Sequence, residues 1–105
     1  MGAGMIVHLS LTCSLIAMFA VAPAWADEAL GTYLAGTCMT CHRAGDQGSA
    51  IPSLAGRDVA DLVAALQAYR TGARQDALMH AVASSLSDAE STDVAAYFAH
   101  QEPAQ

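Results

Sequence analysis

Lysine is missing altogether from the 105 residues, and no acidic side chain occurs before Asp27. Ten acids stand against four basic residues, all arginine (Arg43, Arg57, Arg70 and Arg74), giving a net charge of −6. That balance argues against nucleic acid or an anionic membrane surface as partner, because both repel an acidic body. Cysteine is scarce too: Cys13, Cys38 and Cys41. Three thiols, two of them only three positions apart, cannot build the disulfide framework that staples many small exported domains. No stretch alternates apolar and polar residues as a strand would, and no repeat or low-complexity tract is present. The length allows one domain at most.

The opening stretch, MGAGMIVHLSLTCSLIAMFAVAPAWA, is apolar and ends in Ala24-Trp25-Ala26. Small residues at 24 and 26 behind an apolar run make an export-signal cleavage site. Its n-region carries no Lys or Arg, only the terminal amine and His8. Residues 5–22 could alternatively serve as an uncleaved anchor. Pro23 and the A-x-A end favour cleavage. The expectation is a signal peptide over 1–26, a single domain over 27–105, delivery to the periplasm, and no membrane attachment once the leader is gone. Cys13 leaves with that leader. So small a domain buries a modest core and needs a metal or a large cofactor to complete it.

The periodic segments of residues 27–105 all read as helices. Leu30, Tyr33, Leu34, Thr37 and Cys38 follow the 3.6-residue period, with Asp27 and Glu28 at the favourable N-terminal end. Residues 43–57 hold three glycines and a proline and read as a loop. Asp58 can cap a helix whose Val59, Leu62, Val63, Leu66 and Tyr69 form one stripe, ended by Gly72. Met79, Val82, Ala83 and Leu86 make the face of a third helix. Ser87 and Glu90 form a capping box for a fourth, in which Val94, Tyr97 and Phe98 point inward. The fold class is all-α.

CMTCH, residues 38–42, carries the chemistry. C-x-x-C alone is shared by zinc sites, thioredoxin-like motifs and haem attachment. A thioredoxin-like site wants a neighbouring βαβ pattern, and none is visible. A structural zinc site wants four ligands, and Cys38, Cys41 and one of His80 or His100 supply three. Covalent haem uses the whole motif: two thiols add to the two vinyl groups, and His42 falls beneath the iron as proximal ligand. One covalently bound haem c also fits export and would complete the core. His42 needs an acceptor for its second ring N–H, and the rigid carbonyl of Pro52 offers one; an ordinary loop proline is the alternative.

For the far side of the iron, Met39 is trapped between the two thioethers, which leaves Met79 as the methionine candidate. His80 is the rival, and neighbours on a helix point about 100° apart, so one of the two faces the iron. An open iron is the third alternative, and Met79 as apolar filler is the plain one. His100, at the end of the last helix, reads as a surface imidazole.

The segments C-M-T-C-H, I-P-S-L-A-G, Y-R-T-G-A-R, L-M-H-A-V-A and V-A-A-Y-F-A together resemble a short bacterial class I cytochrome c over residues 28–100. Within that family the chain is similar to the cytochrome subunit of flavocytochrome c sulfide dehydrogenase. The resemblance implies four to five short helices wrapped around the haem, with Gly31 of the first helix near Tyr97 or Phe98 of the last. It implies Cys38 and Cys41 as thioether attachments and His42 and Met79 as axial ligands. Pro52, Leu54, Tyr69 and Arg74 would then contact the cofactor, Tyr69 and Arg74 at its propionates. The acidic, lysine-free surface departs from the lysine-ringed cytochromes, so docking through a basic patch does not carry over.

The function expected is one-electron transfer between redox partner proteins, from a periplasmic dehydrogenase to a downstream acceptor, with no catalysis by the chain itself. The resemblance offers a sulfide-oxidising flavoprotein subunit as that donor, with the cytochrome as the electron-transfer subunit of the resulting enzyme. A ligand-binding or peroxidatic haem protein with an open distal site is the alternative.

Overall fold

The computed structural model describes residues 26–43 and 50–103, together with Gly2. The expected leader, and residues 44–49 of the expected loop, lie outside the described residues. Within them the chain forms four helices and no strand: α1 Glu28–Cys38, α2 Val59–Thr71, α3 Ala77–Ser84 and α4 Asp88–Ala99. None of these is long and apolar enough to cross a membrane.

Each helix starts where a side-chain oxygen can take up orphaned backbone N–H groups. Asp27 accepts from the Leu30 N–H, Asp58 from those of Ala60 and Asp61, and Asp76 from that of Met79. Ser87 and Glu90 form a reciprocal capping box at the start of α4. Gly72 ends α2 with φ +83°, a left-handed conformation that side chains with a Cβ adopt only at a cost.

The core is thin. Ala35, Leu62, Val94, Ala95 and Phe98 form one buried cluster, with Leu34, Cys38, Leu54, Val59, Val63 and Tyr97 half-buried against it. Burial of Phe98 alone contributes about 2–3 kcal/mol. α1 packs on α4, and α2 packs on both α3 and α4.

Two expectations need correction, and a third gains its register. A Cβ on Gly31 would lie 2.5 Å from the Asp93 carbonyl oxygen, so α1 meets α4 at Asp93, one helical turn before Tyr97. Backbone meets backbone there, which only a residue without a side chain permits. Tyr33 is 80% exposed. α1 packs chiefly on α4, and the narrow stripe of Gly31, Leu34, Ala35 and Cys38 suffices for that contact, leaving Tyr33 outside. Leu86 lies beyond α3, which ends at Ser84 with Ser85 as its cap.

Candidate functional site

The C-x-x-C-H segment straddles the end of α1. Cys38 is the last helical residue, and the chain then turns tightly: the N–H groups of Cys41 and His42 both donate to the Cys38 carbonyl, at 3.2 and 2.9 Å. This turn makes the two thiols and the imidazole neighbours. Cys41 is exposed, Cys38 is half-buried, and both are free thiols. Burial pushes the Cys38 thiol up, an effect partly opposed by its own backbone hydrogen bond. Met39, between the cysteines, receives the Tyr97 hydroxyl at 3.7 Å, which ties the segment to α4.

His42 Nδ1 lies 2.8 Å from the Pro52 carbonyl oxygen. A carbonyl can only accept, so the proton sits on Nδ1 and Nε2 keeps its lone pair for a metal. The loop that presents Pro52 is itself held down. The Gly56 N–H donates to the Phe98 carbonyl at 2.9 Å, and Leu54 packs against the core cluster. Between Pro52 and Leu54, the Ser53 hydroxyl is buried without a partner among the described residues. Such an atom marks a place where a polar group is expected to arrive.

On α3, Met79 is half-buried and His80 exposed. His80 Nδ1 donates to the Tyr69 carbonyl at 2.9 Å, so its ring is turned onto the end of α2. Arg74 lies over the Tyr69 ring, 4.7 Å from its centre, in an open cleft that His80 and Asp76 also line. Tyr69 and Arg74 are thus brought together, as are His42 and Pro52. His100 caps α4 and bonds back to the Ala96 carbonyl on the exposed surface. Among the described residues no group of three or more His, Cys, Asp or Glu converges as a metal site would, so the zinc reading finds no ligand set.

The sequence reading passed over Arg70. Its guanidinium donates to the Ala83 and Leu86 carbonyls at 3.3 and 2.9 Å, to the Ser91 hydroxyl at 3.2 Å, and to Asp88 at 2.6 Å. One side chain therefore ties the end of α2 to the end of α3 and the start of α4. Its signal was present: Leu62, Leu66 and Arg70 are spaced i, i+4, i+8, so a cation stands on the apolar stripe and needs an internal acceptor.

The donor set fits haem c. Two free thiols at the required spacing, an imidazole with its metal-binding nitrogen left open, and half-buried apolar side chains around the thin core are what a covalently held porphyrin requires. Comparison with known proteins agrees. The cytochrome c family profile matches residues 28–102. Cytochrome c-554(548) of Halomonas halodenitrificans is 41% identical over 81 residues, which cover 72% of this chain and 98% of that protein. With its four helices, absence of strands among the described residues and C-x-x-C-H turn, the chain belongs to the cytochrome c family, as an all-α class I cytochrome that binds haem c covalently and carries electrons rather than catalysing a reaction.

Proposed function

We propose that this chain is a periplasmic monohaem carrier, cleaved after Ala26, in which Cys38 and Cys41 hold the haem and His42 and Met79 bind its iron. The observation that carries the reading is the 2.8 Å bond from His42 Nδ1 to the Pro52 carbonyl. It fixes the tautomer, orients the ring and makes Nε2 a stronger donor. The haem supplies a reversible one-electron change at iron, and the protein sets its potential and exposure. Met79, half-buried on α3, would supply the second protein ligand to the iron, which would raise the potential and leave no open site for outside ligands. Arg74, stacked on Tyr69, answers the propionate charge. Leu54, half-buried against the core cluster, would contact the haem.

The donor in this reading is a periplasmic dehydrogenase, a sulfide-oxidising flavoprotein by the resemblance of the I-P-S-L-A-G, Y-R-T-G-A-R and L-M-H-A-V-A segments, with a second redox protein as acceptor. Reduction of the purified cytochrome by sulfide, only when such a flavoprotein is added, would support that donor. A rate no faster than with sulfide alone would count against it.

The site is tested by spectroscopy of the exported holoprotein. A weak far-red sulfur-to-iron band in the oxidised form, with no carbon monoxide binding on reduction, is expected. In Met79→Ala the band should vanish, carbon monoxide should bind and the potential should fall. If the band survives or the potential is unchanged, Met79 is not the ligand. A native protein that binds carbon monoxide would instead favour the ligand-binding or peroxidatic reading.

A further inference from the structure

Asp93 holds a carboxylate where α1 crosses α4, with 8% of its surface exposed. Among the described residues its side chain meets one donor, the backbone N–H of Asp27, 2.7 Å from Oδ1. The salt bridge found among them, Arg70 to Asp88, does not involve it. A carboxylate so buried, facing one neutral amide, is poorly compensated for the water it has lost.

That amide nitrogen belongs to the residue directly after the A-x-A site. Hydrolysis of the Ala26–Asp27 bond adds one water across it. The carbonyl leaves as the carboxylate of Ala26, and the nitrogen keeps its place as the α-amine of Asp27, protonated at neutral pH. A neutral donor becomes a cation without needing to move. We propose that export cleavage itself completes the α1–α4 junction: the new α-ammonium of Asp27 forms an ion pair with Asp93, so the mature terminus becomes a structural group.

The inference rests on the cleavage position given under Proposed function. Nothing else at the terminus has to change. The Asp27 carbonyl still accepts from the Gly31 N–H, and its side chain still caps α1. The positive end of the α1 dipole opposes an ammonium there, while the Asp27 and Glu28 carboxylates and Asp93 favour it. The close approach at Gly31 holds α1 against Asp93 from the other side.

The lysine-free sequence makes the test specific, because the α-amine is then the one primary amine of the mature chain. Intact mass and N-terminal sequencing of the exported holoprotein come first, and should give Asp27. Any other terminus removes the cleavage reading and the proposal together. Given Asp27, urea unfolding compares the native holoprotein with three others: one carrying an alanine inserted between 26 and 27, one with Asp93→Asn, and one with both changes. The insertion should lower the folding equilibrium constant about tenfold in the native background and leave it unchanged beside Asp93→Asn. An equal loss in both backgrounds overturns the ion pair while the cleavage reading stands. Should Asp93→Asn not fold, acetylation of the native holoprotein decides. The α-amine should react about fivefold more slowly folded than in urea, following the population of the unpaired amine. Equal rates overturn the proposal.

Discussion

Two junctions hold the four helices together, and they are built on opposite principles. Where α1 crosses α4, contact depends on what is missing: Gly31 has no side chain, so its backbone rests on the Asp93 carbonyl, and Ala35 is small enough to be buried in the same stripe. Where α2 meets α3 and α4, contact depends on one long side chain, as Arg70 reaches Ala83, Leu86, Asp88 and Ser91. The first junction tolerates no addition. The second tolerates no loss. Each helix carrying a proposed ligand is held by a different one: α1, ending at the C-x-x-C-H turn, by the first, and α3, bearing Met79, by the second.

Breaking the first junction should have the larger effect. Gly31→Ala places a methyl group against backbone that cannot swing aside, and should destabilise the holoprotein by about 3 kcal/mol, measured by urea unfolding. A loss below about 1 kcal/mol would mean that α1 can slide on α4. Arg70→Met keeps the apolar stem but leaves the Leu86 carbonyl unmet and the Ala83 carbonyl with the Leu86 N–H alone, at about 2 kcal/mol. Because those carbonyls lie in the last turn of α3 and just beyond it, the far-red band should also weaken, which a change of stability alone would not produce. The comparison is sharpened by Asp88→Asn. Asp88 is 82% exposed, so its ion pair with Arg70 is worth little, and the variant should lose about 0.5 kcal/mol or less. A loss matching that of Arg70→Met would place the value of Arg70 in the salt bridge instead of the carbonyls.

The sequence was most legible where local chemistry decides the outcome. Asp27, Asp58, Gly72 and the Ser87–Glu90 pair mark helix ends within a residue or two, because capping involves neighbours along the chain. The pairing of His42 with Pro52 was also within reach, since a proximal histidine needs an acceptor and the loop offers a rigid one. Long-range partners were not legible. The period of α1 admits Tyr33 and gives no sign that α4 is the main cover of this helix, so the buried stripe is narrower than the apolar one. Gly31 could be placed near α4 by resemblance, yet its register against Asp93 depends on how the two helix surfaces mesh. Leu86 continues the apolar spacing of α3, but the chain leaves the helix after Ser84.

The two junctions also differ in how far apart in the chain their members lie. Asp27 and Asp93 are separated by 66 residues, whereas Arg70 finds its partners 13 to 21 residues away. Closing the longer loop costs more chain entropy, so the order of assembly should follow. On that ground the α2–α3–α4 unit is expected to form the folding nucleus, with α1 docking after the barrier. Arg70→Met should therefore slow folding, while Gly31→Ala should mainly speed unfolding. The segment bearing Cys38 and Cys41 is then the last to be shut away, which leaves its thiols open to reaction while the rest of the molecule takes shape.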